Sequence, residues 1–229
     1  MGFYNFPFDA LSIGEEDILA ETGNYAFDAA FKGYLAGRIH RLLAEISSQG
    51  IGAKGSYRIM EGKVEKNLLK LGKENLHIGP KIAAIMNKGK YFAIFAVTVG
   101  EEFEAYMKFS SANKDALDNY LLNTIGNCMV EEAERHVEMK LEEEMKGIPH
   151  TQRFSPGYCQ WPLADQGKIL TLLNNPCGIR LTDYYFMIPA KSVTGIIGFG
   201  EGVRTDVSEC ELCELRTVCY KSKFNNQQS

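Results

Sequence analysis

The stretch Arg153-Phe154-Ser155-Pro156-Gly157-Tyr158 concentrates residue types that can bind a small ligand. An arginine presents a planar fork of donors matched to a carboxylate or phosphate. Pro156 stiffens the chain before it, and Gly157 allows backbone angles and close approaches that other residues resist. Tyr158 adds an aromatic face and a hydroxyl. Such a loop can hold an anionic or zwitterionic ligand. It can equally be a structural turn carrying a surface arginine, because glycine and proline are common in turns.

A second cluster lies at the C-terminus. Of six cysteines (Cys128, Cys159, Cys177, Cys210, Cys213 and Cys219), three fall in the last twenty residues as Cys210-x2-Cys213-x5-Cys219. Thiolates at that spacing can converge on zinc or an iron–sulfur cluster. Three ligands are one short of a closed site, which leaves Cys159, Cys177 or a partner to supply a fourth. The Cys210-x2-Cys213 half can also be a redox pair, or the tail can carry free thiols. His40, His77, His136 and His150 lack metal-ligand spacing and read as surface or hydrogen-bonded polar residues; His136, five residues after Glu131, is the one that bears watching. Glu142-Glu143-Glu144 reads as a solvated helix end. P-loop, dinucleotide, nucleophile-elbow and metalloprotease signatures are absent.

These residues need a scaffold, and 229 residues with 45% hydrophobic and 24% charged side chains suffice for one large domain. A core of this size needs no disulfide staples. A net charge of −4 leaves no electrostatic footprint for nucleic acid. The sequence has no apolar run approaching the roughly 20 residues of a membrane span and no secretory signal at its start, so the expected location is the cytoplasm.

Hydrophobic spacing sets out the elements. Residues 1–24 read as an irregular arm with a short acidic helix over Glu15 to Glu21. Apolar positions from Phe27 to Ile46 recur at helical period, giving a helix over 26–48. Two or three short strands follow over 57–78, then a short helix with Pro80 in its first turn. KYFAIFAVTVG reads as a buried strand. A helix over 101–110 precedes a long one over 114–146, expected to bend near Gly126. A further helix covers 163–174, and LTDYYFMIPAKSVTGIIGFG gives two strands around a turn at Pro189. Without a regular βαβ alternation the class is α+β, a single domain with a mixed or antiparallel twisted sheet and long helices. The expected division is a domain over 1–200 and a cysteine-rich tail over 201–229.

The order of these motifs resembles the activation, or reactivation, domain of cobalamin-dependent methionine synthase. That family carries an R-x-x-P-G-Y loop, a helix, and an L-T-[ED]-x…P-x-x-S-V-[ST]-G hairpin. Here the loop is 153–158, the helix carries LADQGKILTLL, and the hairpin contains Leu181-Thr182-Asp183 and Pro189-Ala190-Lys191-Ser192-Val193-Thr194-Gly195. The resemblance covers about residues 125–199. It implies a shallow groove for S-adenosylmethionine lined by Arg153, Ser155, Gly157 and Tyr158, with Glu131 on the preceding helix. Arg153 would pair with the methionine carboxylate, Glu131 would attract the ammonium or sulfonium, and Tyr158 would lay its ring near the cation; Glu131 can also be a plain exposed acid. A family aspartate from the N-terminal part has Asp9, Asp17 and Asp28 as candidates. The chain departs from the pattern at Cys159-Gln160-Trp161-Pro162, where the family often continues with Cys-Pro-x-His. It departs again at Gly198-Phe199-Gly200, where fused enzymes carry an aromatic pair.

The resemblance further implies a role in restoring cob(II)alamin to methylcobalamin, with S-adenosylmethionine as methyl donor and an electron from a carrier such as flavodoxin or ferredoxin. The sequence lacks the D-x-H-x-x-G motif of the family's cobalamin module, so the cobalamin is expected on a partner: a corrinoid protein, or a methionine synthase lacking its own activation domain. Methyltransferase activity by this chain alone is not expected. Two alternatives stand beside this reading: a corrinoid-interacting electron-transfer protein working through its cysteine tail, and a non-catalytic S-adenosylmethionine sensor.

Overall fold

The structure is a computed structural model that describes residues 1–22, 28–207 and 209–212. In chain order the elements are β1 (Gly2–Phe6), a 3-10 turn (Phe8–Leu11), α1 (Glu15–Glu21), α2 (Ala29–Ser48), β2 (Ala53–Glu65), β3 (Leu68–Leu71), β4 (Glu74–Leu76), α3 (Gly79–Met86), β5 (Tyr91–Thr98), α4 (Glu101–Asn113), α5 (Ala116–Glu144), α6 (Asp165–Leu173), β6 (Arg180–Leu181), β7 (Met187–Ile188), β8 (Ser192–Phe199) and α7 (Glu209–Leu212). The main sheet runs β4-β3-β2-β5-β8 with every described pairing antiparallel. The long β2 is shared along its length: Ala53–Tyr57 pairs with β1, and Gly62–Glu65 with β3.

Strand β5 explains the layering. Its sequence YFAIFAVT lacks polar alternation because both faces are buried. Ala93, Phe95 and Val97 join one apolar core with residues of α1, α2, α4 and α5. Phe92, Ile94 and Ala96 join another with residues of α3 and α6. Side chains alternate across a strand, so one central strand serves two cores and the sheet is covered by helices on both sides. Asp28 and Asp115 cap α2 and α5 by accepting from the Phe31 and Asp118 amides, each at 2.8 Å.

The α+β class holds, and two local expectations are corrected. The first residues are not wholly irregular: β1 pairs with β2 over five positions. Helix α5 runs unbroken for 29 residues through Gly126. That glycine makes room for a neighbour, since a Cβ there would stand 2.5 Å from the Phe103 ring. The strands on either side of Pro189 do not pair with each other: β7 pairs with β6 and β8 with β5. The acids Glu142, Glu143 and Glu144 ending α5 are exposed, and Glu144 also accepts from the Tyr57 hydroxyl at 2.6 Å. After β8, Val203 and Val207 are buried, and Leu212 of α7 packs on the second core.

Candidate functional site

The loop 153–161 is built from two consecutive turns. The Tyr158 amide donates to the Ser155 carbonyl at 3.3 Å, with Pro156 and Gly157 between them. Gly157 has φ +100°, so proline at the second position and a left-handed glycine at the third give the pattern of a type II turn. The Trp161 amide then donates to the Tyr158 carbonyl at 2.8 Å across Cys159 and Gln160, and the Gly157 amide returns to the Trp161 carbonyl at 2.8 Å. Cys159 and Gln160 stand at φ 52° and 68°, a region that residues other than glycine seldom occupy.

Four elements hold this loop. Phe154, fully buried, exchanges both backbone hydrogen bonds with Ile196 of β8 at 3.0 and 2.9 Å. Gly195 permits this approach, because a Cβ there would stand 3.1 Å from the Phe154 carbonyl oxygen and 2.4 Å from the Phe95 ring. From α3, Gly79 passes under the second turn, where a Cβ would come within 2.6 Å of the Cys159 carbonyl oxygen. From α6, the buried Asp165 accepts from the Trp161 indole at 3.0 Å and from the His77 amide at 2.5 Å, and pairs with Lys168 at 2.7 Å. A buried charge needs partners of this kind.

The fourth support is α5, and it acts on the arginine itself. Arg153 Nε lies 3.2 Å from Glu134 Oε1, and Nη1 lies 3.0 Å from Glu138 Oε2. The Arg153 side chain is 39% exposed, whereas Glu134 is only 3% exposed. Glu134 sits within the buried stripe of Val130, Ala133, Val137 and Leu141. Glu131 is exposed and lies one turn before Glu134, seven residues before Glu138 and so on nearly the same helix face. Glu132 pairs with Arg135 and His136, and the Arg135 hydrogen bond, outweighing the opposing cost of burial, leaves its carboxyl below the usual glutamate range.

The structure therefore gathers Arg153, Ser155, Gly157 and Tyr158 on one braced loop, with Tyr158 exposed. Glu134, Glu138 and Asp165 escaped the sequence reading. An acid inside an apolar helical stripe, as Glu134 is, was the available signal. The aspartates considered for the groove have local structural partners: Asp9 accepts from Ser47 at 3.0 Å, Asp17 from the Gly14 amide at 2.8 Å, and Asp28 caps α2. Each histidine stands beside a carboxylate: His40 near Glu15, His77 near Asp165, His136 near Glu132 and His150 near Glu142. His136 also packs against Phe6.

Beside the arginine, Glu138 and Gln152 help line a cleft of about 70 Å³ that also meets His150 and Phe199. That is well below the roughly 300 Å³ at which enclosed ligand pockets begin, so a ligand of nucleoside size here lies across the surface. The hairpin motif is tied to the same helix: Lys191 donates to Asn123 and Asn127 of α5 at 2.8 and 2.5 Å, and burial lowers its ammonium pKa. The tip of the β6–β7 hairpin exposes Tyr184, Tyr185 and Phe186.

The cysteine motif falls largely outside the described residues. Cys213 and Cys219 lie beyond them, and of Cys210 only the backbone, in α7, is described. Among the described residues no group of three or more His, Cys, Asp or Glu side chains is placed to hold a metal ion, and no helix is long and apolar enough to cross a membrane.

No curated protein matches the chain significantly. A solved structure described as the MetH reactivation domain bound to AdoHcy is similar in fold, with a TM-score of 0.69 at 15% identity, covering 90% of this chain and 79% of that one. Residues 72–204, more than half of the chain, match the family described as vitamin B12 dependent methionine synthase, activation domain. A match of that extent, over the loop, its four supports and the hairpin, places the chain in the family of vitamin B12-dependent methionine synthase activation domains.

Proposed function

We propose that the chain binds S-adenosylmethionine along the loop 153–158 and presents it for the reductive methylation of cobalamin carried by a partner. The reading is supported by family membership together with one observation, a guanidinium held in place at a loop of the family's motif. One methyl group from S-adenosylmethionine and one electron convert cob(II)alamin to methylcobalamin. The chain's own part is positioning, which is a real contribution to rate. Arg153 pairs with the ligand carboxylate, Tyr158 offers its exposed ring to the cationic end, and Glu131 adds negative charge from α5.

The residues fit such a ligand: a cationic fork, nearby carboxylates and an exposed aromatic suit a molecule that carries a carboxylate, an ammonium and a sulfonium. The partner is a corrinoid protein or a methionine synthase without its own activation domain, and the electron comes from a carrier such as flavodoxin or ferredoxin. Calorimetric titration tests the ligand. Saturable binding that weakens about tenfold or more in Arg153→Ala is expected from the loss of a charged hydrogen bond; no binding by well-folded wild-type protein contradicts the reading.

The spacing of Cys210, Cys213 and Cys219 adds a proposed thiolate site for zinc or an iron–sulfur cluster. Metal and sulfide analysis of anaerobically purified protein tests it, and the absence of both removes it.

A further inference from the structure

We infer that Glu134 and Glu138 are positioning residues that set the direction in which Arg153 meets a ligand carboxylate; this rests on the proposed binding of S-adenosylmethionine. The observation is the geometry of a single guanidinium. It has three nitrogens in one plane. Nη1 donates a hydrogen bond to Glu138 at 3.0 Å, and the buried Glu134 Oε1 lies 3.2 Å from Nε as an ion pair without hydrogen-bond alignment. A guanidinium hydrogen-bonded at Nη1 and drawn towards a buried carboxylate at Nε is restricted in its swing about the long side chain, and its plane is held in one orientation.

The two carboxylates are unequal. Glu138 keeps 22% side-chain exposure, whereas the Glu134 side chain keeps 4%, on a helix whose neighbouring inward positions are apolar. An acid buried there must be compensated by a cation. The compensating cation is Arg153, which reaches α5 from the loop. Helix α5 is therefore more than a wall behind the loop: it orients the loop's cation. Arginine side chains otherwise sample many rotamers, and ordering one costs conformational entropy, a cost met here before a ligand arrives.

The test uses two ligands that differ in one group, S-adenosylmethionine and its decarboxylated analogue. Both are titrated calorimetrically into wild type, Glu134→Gln, Arg153→Ala and the double variant, with thermal unfolding as a check on folding. Wild type is expected to prefer the carboxylate-bearing ligand. Glu134→Gln is expected to weaken S-adenosylmethionine by about tenfold and to leave the decarboxylated analogue within about twofold. The double variant is expected to lose no more than Arg153→Ala alone, since the glutamate acts through the arginine. If Glu134→Gln fails to fold, the more exposed Glu138→Gln takes its place with the same pattern expected at smaller size.

Equal weakening of both ligands, no weakening of either, or additive losses in the double variant overturn the inference while leaving S-adenosylmethionine binding standing. Absence of binding by wild type removes the proposed function and this inference with it.

Discussion

At the scale of single residues, the site depends on a few positions where backbone and charge leave little choice. Gly157 is one. Its φ of +100° belongs to the region that residues with a Cβ avoid, and a Cβ there would press on Leu163 at 3.2 Å. Gly157→Ala is expected to cost about 1–2 kcal/mol, read as a lowered midpoint in chemical denaturation, with weakened ligand binding as the first turn opens. A midpoint equal to wild type contradicts the turn assignment. Arg153 is another such position, and its pairing shows where sequence reading ends. The types Arg, Pro, Gly and Tyr mark the loop as a candidate binding loop in the sequence, with Arg153 as its proposed cation. That Glu134 and Glu138 hold it was not legible, because the pairing joins residues 15 and more positions apart and depends on how the loop crosses α5.

At the scale of elements, α5 and β5 set the frame, and both were readable. The apolar run at β5 is continuous because the strand is buried on two faces, and α5 shows its inward stripe. Gly126 weakens the helix by propensity, and only the packing against Phe103 reveals its other use. Gly126→Ala provides a direct contest between the two effects. Alanine in a helix interior gains roughly 1 kcal/mol in propensity over glycine. Against this, the new Cβ meets the ring of Phe103, itself 1% exposed and unable to withdraw. Overpacking of that kind costs about 1–3 kcal/mol, so net destabilisation by urea denaturation is expected; a more stable variant shows that propensity governs the site. Strand β1 went unread for a different reason. GFYNF exposes Phe3 and buries Phe6, so its hydrophobicity does not announce which face is inside until the pairing with β2 is known.

At the scale of the whole molecule, ion pairs tie the helix layer together. Glu45 of α2 accepts from Lys114 at 2.7 Å and from the Tyr106 hydroxyl at 2.5 Å. The Lys114 hydrogen bond and then that of Tyr106 hold its carboxyl below the 4.5 usual for glutamate, while burial and Glu45 push the Tyr106 phenol up. A carboxyl whose folded pKa is depressed contributes stability that is present above its unfolded pKa and is lost as pH falls through the folded one. Glu45→Gln is therefore expected to lower the unfolding temperature at pH 7 and to lower it less at pH 3. An equal deficit at both values contradicts a role for this charge. The architecture as a whole was legible as α+β from the mixture of helices and short strands. The family motif identified residues 125–199, whereas the family match begins at residue 72 and the fold similarity spans 90% of the chain. That earlier part preserves shape through packing, with few residue types that announce it.

The proposed role of this chain is to supply a methyl donor to cobalamin held by another protein. Methyl-labelled S-adenosylmethionine offers the direct measurement, using a corrinoid protein poised as cob(II)alamin and reduced flavodoxin as electron source. The account predicts that label reaches cobalamin, and the cob(II)alamin spectrum decays, only when the chain is present, and much more slowly with Arg153→Ala. Transfer at the same rate without the chain, or none with a chain that demonstrably binds both the ligand and the corrinoid protein, contradicts it.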